Sequence, residues 1–503
     1  MSLPLDRQPV IVGVGEVVDR PPVPYEGRAP LELMLDALRD AERDAGAPLL
    51  RLIDSLDVVR EVSWPYRDPA GLLAEQLQIK VGHQRHGDDG GESPIRFLHE
   101  AALRIERGEA CVAAVVGAEA GHTTAAAWKA GVQLAWPHRD PAAKLPNGRD
   151  LVGPLAIAHG AILPMQVYPF FENAAVAHWG QTQAEGIAES AALCSGLSRV
   201  AATQENAWSR AVVDAAVVAT PGERNRMIAW PYTKRMVANP MVNQGAAFVL
   251  TSRARARALG IADDKMIHVW GGAHANECRD YLQRDAYHQS SAQSAVLGAV
   301  KQRAGVEGGG FSAVELYSCF PCVPKMTRRL LGLSAEHPVS VTGGLNCFGA
   351  PLNNYMAHAT VAMVRHLRTR DDPRPGLLYG QGEYVTKHHA AVLARVPDEG
   401  RFAGTDPSVQ TEADQMRGAV PALSLDFEGE AAIETFTVLY GRDGQPEHGV
   451  VIAKTPDGKR LMARVPAADH DTLSVLLRDG ASPVGTAGEV RRLDANRLSW
   501  SVA

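Results

Sequence analysis

The chain has 503 residues, 46% hydrophobic and 21% charged, which is the composition of an ordinary globular protein with room for about three domains. Its 51 Lys and Arg against 57 Asp and Glu leave a formal charge of −6, so there is no basic footprint for nucleic acid or an anionic membrane. Six cysteines in so long a chain argue against a disulfide scaffold. MSLPLDRQPV has no basic stretch leading into an apolar one, and no apolar run is long enough to span a bilayer, so a cytoplasmic protein is expected.

In chain order, PVIVGVGE at 9–16 reads as a buried strand and LELMLDALRDAERDAG at 31–46 as a helix stopped by Gly46. SLDVV at 55–59 reads as a strand. A double glycine then opens the helix GGESPIRFLHEAALRIERG at 90–108, and CVAAVVGAE at 111–119 is a strongly apolar strand. The same order returns later: strand KMIHVWGG at 265–272, helix SAQSAVLGAVKQRAG at 291–305 and strand SAVELYSCF at 312–320. It continues with a second double-glycine helix start in GGLNCFGAPLNNYMAHATVAMVRHLR at 343–368, then strand GLLYGQGE at 376–383. Apolar strands close both halves, FVLTS at 248–252 and AAVLARV at 390–396. Alternating strands and helices imply crossovers and largely parallel sheets, hence an α/β protein built from a duplicated half. A single long doubly wound sheet is the alternative.

Two regions lie outside this repeat. Residues 120–185, rich in Pro, His, Trp and Gly without a sustained period, read as a lid or binding loop. After a polar linker at 398–423, residues 424–503 alternate β-branched and polar residues between GRDG and PDG turns, as in a small all-β barrel.

Chemistry is expected at the double-glycine loops. Pro94 after Ser93 and Pro351 after Ala350 suit the first turn of a helix, so each loop presents unpaired N–H groups and partial positive charge, suited to a developing oxyanion. Ser93 reads as a helix cap or as a weak nucleophile candidate. Cys319-Phe320-Pro321-Cys322 is a lone CxxC, weak as a zinc signal and better read as buried thiols. His83, His86, Asp88 and Asp89 have a spacing that can hold metal, although a solvated loop explains them too, and no metal is expected.

With these motifs in view, the chain resembles the thiolase superfamily. Asn243-Gln244-Gly245-Ala246-Ala247 is similar to the family's Asn-Asp-Gly-Ala-Ala strand, and ELYSCF at 315–320 to the His-Asp-Cys-Phe motif of sterol-carrier-protein thiolases. GGLNCFGAPLNNY and GQGEYVTKH resemble type-1 thiolase-like proteins, which carry an extra C-terminal β-domain with an OB-like look. The resemblance implies two βαβαβαββ halves layered α/β/α/β/α. They span 1–260, including the loop domain, and 261–397, followed by the linker and the barrel. It also implies an acyltransferase of acetyl-CoA acetyltransferase type, acting on a CoA thioester that serves as substrate or ligand and not as a tightly held cofactor. The assembly would be a monomer or homodimer.

Aligned on the family, the nucleophilic cysteine falls at Gly91, the Gly-His-Pro histidine at Ala350 and the second cysteine at Gly380, so all three catalytic side chains are missing. What the resemblance leaves is a backbone oxyanion hole at Gly91 and Gly382. Tyr317 and Tyr355 are candidate proton carriers, or else satisfied core aromatics. Asn353 and Asn354 are candidate carbonyl donors or helix caps, Cys347 is the best residual thiol, and Glu383 and Lys387-His388-His389 lie close by in sequence. Three functions remain open: a non-covalent, aldol-type acyl-CoA enzyme; a non-catalytic acyl-CoA-binding or assembly module; and a thiolase using an unusual cysteine such as Cys347.

Overall fold

The computed structural model describes residues 5–306, 310–402 and 404–502; the first four residues of the N-terminal segment read above lie outside it. The first half runs β1 (Pro9–Val18), α1 (Pro30–Ala45), β2 (Ser55–Val58), α2 (Pro69–Leu77), β3 (His83–His86), α3 (Ser93–Arg107) and β4 (Val112–Ala120). An insertion follows with α4 (Gly121–Ala130), α5 (Pro154–His159), α6 (Pro164–His178), α7 (Gln183–Thr203), α8 (Ala215–Ala219) and the short strands β5 (Met227–Ala229) and β6 (Tyr232–Thr233). Then β7 (Asn243–Ser252) and α9 (Arg253–Ala258) close the half. The second half is β8 (Ile267–Asn276), α10 (Ser291–Ala304), β9 (Ala313–Leu316), α11 (Cys322–Leu331), α12 (Tyr355–Arg368), β10 (Gly376–Gly382) and β11 (Lys387–Ala394).

The duplication is visible in strand order. One nine-stranded sheet runs β3-β2-β4-β7-β1-β8-β11-β10-β9. Outward from the β1–β8 seam, β7, β4 and β2 on one side answer β11, β10 and β9 on the other. The seam itself is slight, pairing Val10 with His268 and Ile11 with Ile267. Parallel pairing is confined to β2–β3, β2–β4 and β9–β10; every other pair in this sheet is antiparallel. The expectation of largely parallel sheets is therefore corrected to mixed ones. The cause is that β7 and β11 each enter between two strands of their own half, β11 by a tight hairpin from β10, which only antiparallel pairing allows.

Local chemistry sets the layers. Helix α1 starts at Pro30, with the Glu32 carboxylate accepting from the Ala29 N–H at 2.8 Å, and stops at Gly46 in the left-handed region (φ +70°). Its apolar stripe lies on β1, β7 and β4 so closely that a Cβ on Gly13 or Gly15 would overlap the α1 backbone. Helix α10 packs on β8 and β11 of the other half. Helices α3 and α12 touch each other and strands of both halves, and both are buried on nearly every side. The result is the expected α/β/α/β/α stack, with two helix starts at its centre.

The insertion is helical where the sequence offered no period. Residues 167–176 of α6 are all buried, so no single apolar stripe reveals that helix. The segment read as a polar linker is docked: Phe402 is buried, α13 (Gln410–Met416) packs on β8 and α10, and Val409 N–H donates to His274 O at 2.9 Å. Beyond it, β12 (Gly429–Tyr440), β13 (Pro446–Lys454), β14 (Arg460–Pro466), β15 (Ala487–Arg492) and β16 (Leu498–Val502) close a barrel in the order β12-β13-β14-β16-β15-β12, with α14 (His470–Leu476) between β14 and β15. The insertion contributes to its edge, since β5 pairs with β12 at Ala229 and Leu439.

Candidate functional site

The α3 start and the β10–β11 hairpin meet. Asn353, just before α12, accepts from the Gly90 N–H at 2.9 Å and donates to Arg60 O at 3.0 Å and Asp89 Oδ1 at 3.2 Å, so one half clamps the glycine loop of the other. The hairpin turns through Glu383 (φ +57°) and Val385 (φ +54°), both left-handed although neither is glycine. It is held by Val385 N–H donating to Gln381 Oε1 (3.1 Å) and by Tyr168 Oη donating to Glu383 O (2.6 Å). The tips are in contact: a Cβ on Gly91 would come 2.6 Å from Gln381 O, and one on Gly382 would come 3.1 Å from Gly90 Cα.

The space between the tips, where a backbone oxyanion hole was expected at Gly91 and Gly382, is filled by side chains. A side chain at Gly91 would run into the Tyr317 phenol, with its Cβ 2.5 Å from Cζ. At Gly382 it would run into the Glu92 carboxyl, and at Gly380 into Ile95 Cδ1 (3.0 Å), Glu92 Cα (3.1 Å) and Met356 Cγ (3.2 Å). Tyr317 is buried, and burial together with Cys319 and Glu92 holds its hydroxyl well above the ordinary phenol range, so it is a proton donor and not a ready base.

Most of the other expected residues have polar groups engaged, although Asn354 Oδ1 is buried without a partner. Tyr355 lies edge-on to Tyr317 at 5.9 Å, but its hydroxyl donates to Glu315 Oε1 (2.8 Å) and accepts from the Gly344 N–H (3.1 Å), as part of a buried network that shapes the loop at 340–344. Asn354 donates to Gly117 O at 2.7 Å, which ties α12 to β4. Ser93 Oγ donates to Asp88 O at 3.2 Å, and Ala350, where the family's histidine would stand, is buried with its N–H on Asn239 O. Cys347 is half-buried, and burial pushes its thiol up to about 11. Cys319 is pushed up to about 12, and both cysteines of the CxxC are free and buried. Neither Cys319 nor Cys347 is a thiolate near neutrality.

The polar cluster before Gly90 disperses into separate pairs, His83 with Asp57 (3.4 Å), His86 with Glu61 (3.2 Å) and Asp89 with Arg60 (3.2 Å), and no group of three or more such side chains is placed for a metal among the described residues. Lys387 donates to Asp89 O (2.8 Å) and pairs with Glu383 (3.1 Å), while His388 and His389 are buried against Tyr379 and His99. The three residues open β11, the strand entry that the sequence suggested.

The residue that sequence reasoning passed over is Glu92. Its side chain folds back between Gly90 and Gly382, is buried, and leaves Oε2 without a hydrogen-bond partner. Burial pushes its carboxyl up to about 7 in spite of Lys387 and Arg96. An acid at a helix start reads in sequence as a complement to the helix dipole, and only the opposing hairpin turns it into an interior group.

Comparison with known proteins bears on this geometry. Residues 408–494 match the family model described as the thiolase-like protein type 1 additional C-terminal domain. None of the curated proteins matches the sequence. The crystal structure of a monomeric SCP2-thiolase-like protein type 1 from Mycobacterium smegmatis is similar over 99% of this chain and 100% of its own, at 27% identity and a TM-score of 0.82. An Ltp2–ChsH2(DUF35) aldolase aligns over 78% and 98% at 18% identity and a TM-score of 0.60. Human mitochondrial 3-ketoacyl-CoA thiolase in complex with CoA aligns over 79% and 100% at 15% identity and 0.58. The two halves have the thiolase fold, and the chain carries the additional C-terminal domain of type-1 thiolase-like proteins.

Proposed function

We propose that this thiolase-fold chain binds CoA thioesters and makes or breaks a carbon–carbon bond beside the thioester carbonyl by an aldol-type route, with no acyl-cysteine. The observation that carries this reading is the pair of contacting tips, N–H-bearing loops from both halves, whose nucleophile position is a glycine closed off by Tyr317. Acyl transfer through a covalent intermediate needs a nucleophile, whereas cleavage of a β-hydroxyacyl thioester needs an enolate stabiliser and a proton carrier. The CoA complex of one thiolase neighbour and the aldolase identity of another support the substrate class and the reaction type. CoA would arrive as part of a diffusing substrate.

The barrel order, with its helix between the third and fourth strands, supports an OB-type assignment for 424–503. Six free thiols support a reducing, cytoplasmic setting, and no helix among the described residues is long and apolar enough to cross a membrane. The short, polar edge strand β3, His83-Gln84-Arg85-His86, discourages edge-to-edge pairing and supports a monomer.

A second reading, an acyl-CoA-binding module without turnover, is favoured by the same Tyr317 ring, which must withdraw before any substrate carbonyl can reach the tips. The test is a thermal-shift series with CoA and acyl-CoAs of increasing chain length, paired with turnover of β-hydroxyacyl-CoAs before and after iodoacetamide treatment. Stabilisation with alkylation-resistant turnover is expected. Stabilisation without turnover would leave the binding module, activity abolished by alkylation would restore a thiol mechanism, and no stabilisation by any CoA ester would remove the reading.

A further inference from the structure

We infer that Glu92 is the proton-carrying catalytic residue of this site, and that it fits the site to β-hydroxyacyl thioesters. The inference rests on the aldol-type reading above. The geometry is specific. The carboxyl is wedged where the two half-domains meet, between Gly90 of the α3 start and Gly382 of the hairpin, and one of its oxygens has no partner within the fold. A buried carboxyl oxygen left unpaired costs free energy that a purely structural residue at this position would not need to bear. The groups around it are Lys387 from β11, Arg96 one turn along α3, Glu383 from the hairpin and the Tyr317 phenol; Glu383 is itself paired with Lys387 and Arg279. Burial outweighs the two nearby cations, so the carboxyl holds its proton less firmly than a phenol and more firmly than an exposed glutamate, the range a proton carrier needs near neutral pH.

The step balances within the site. Ionised Glu92 takes the proton of the substrate's β-hydroxyl, and the oxygen's electrons form the new carbonyl as the Cα–Cβ bond breaks. The bond's electron pair becomes the thioester enolate, whose oxygen faces the Tyr317 hydroxyl that closes the Gly91 position. Protonated Glu92 then returns the same proton to Cα, giving an aldehyde or ketone and a shortened acyl-CoA. No oxidant, reductant or added base is consumed. Tyr317, held well above the ordinary phenol range, is suited to donate a hydrogen bond to the enolate oxygen.

The test uses the full chain, with acetyl-CoA as the binding probe and β-hydroxyacyl-CoAs as substrates. Glu92→Gln is expected to lower kcat by about 10²- to 10⁴-fold while the Kd for acetyl-CoA stays within about threefold, and Glu92→Asp to recover part of the rate. The wild-type rate should rise with pH to a plateau, with a midpoint near pH 7, and the infrared band of a protonated carboxyl should disappear with the same midpoint in wild type only. If Glu92→Gln binds acetyl-CoA and turns over at half the wild-type rate or more, or if the band difference titrates near pH 4.5, the assignment to Glu92 fails and the acyl-CoA reading stands. If neither protein binds acetyl-CoA, the reading fails and Glu92 with it; binding with no turnover in wild type likewise overturns the catalytic role.

Discussion

Glycine at 91 is a packing choice as much as a chemical one, because the volume a cysteine would need already belongs to Tyr317. Restoring the family's nucleophile should therefore fail: Gly91→Cys is expected to cost about 1–3 kcal/mol and to gain no acyl transfer, and the cost should shrink in a Tyr317→Ala background. A double-mutant cycle by urea unfolding checks this, and an undiminished cost would place the two groups out of contact. Glu92 makes a prediction of its own about stability. Its folded carboxyl titrates at about 7 against 4.5 unfolded, so ionisation is disfavoured by folding, and stability falls as pH rises between those values. Glu92→Gln should match wild type near pH 4 and exceed it by about 3 kcal/mol at pH 8. Denaturant midpoints across that range decide it. The resemblance led to an expectation of missing side chains at 91, 350 and 380, but sequence could not show that the space at 91 and 380 is occupied, because the occupants come from residues 317, 95, 92 and 356.

At the scale of elements, the site depends on how α3, the Asn353 loop and the hairpin are held against one another. The Asn353 amide serves three partners in the opposing half, Gly90 and Asp89 of the glycine loop and Arg60 after β2. Asn353→Ala would leave the buried Gly90 N–H unpaired, so a loss of about 1–3 kcal/mol is expected, together with faster amide exchange at 89–91. Exchange as slow as in wild type would show that the clamp is not needed. Helix ends were legible: Gly46, Gly108 and Gly305 stop helices α1, α3 and α10, each left-handed as placed. Helix α6 was not, since a helix buried on all sides carries no one-sided pattern. The parallel pairing expected from strand–helix alternation also failed, because alternation fixes which elements exist but not where β7 and β11 insert.

At the scale of the whole molecule, buried side chains bolt the barrel to the core. The fully buried Arg460 on β14 forks onto Glu434 at 2.7 Å and donates to Leu282 O at 2.8 Å and Arg284 O in the segment after β8. Gln183 of α7 donates to Leu476 O and Arg478 O of the barrel. Wild type is expected to melt in a single transition, and Arg460→Ala to cost about 2–4 kcal/mol, since it strands two buried carbonyls and leaves Glu434 with Lys454 alone. Calorimetry showing two transitions in wild type would refute this coupling. Acid should act in the opposite sense to Glu92. Buried His99 and His388 are held near 4 mainly by desolvation, so between pH 6.5 and 4 the unfolded chain binds more protons and stability drops on acidification. Because Glu92 acts oppositely over the same range, the check compares wild type with His99→Asn, and an equal change of denaturant midpoint from pH 6.5 to 4.5 in both would contradict that.

What the amino-acid order determined by itself was local and periodic: the strands, the capped helices, the repeated order of elements, the β-rich tail and the absence of the expected cysteines and histidine. These follow from hydrophobic period and cap chemistry, which act over a few residues. The tertiary structure alone decided that two loops some three hundred residues apart touch, that Tyr317 and Glu92 fill the gap between them, and that an acid at a helix start loses its water. Desolvation belongs to an enclosure and not to a residue, and an enclosure exists only once both halves have folded around it.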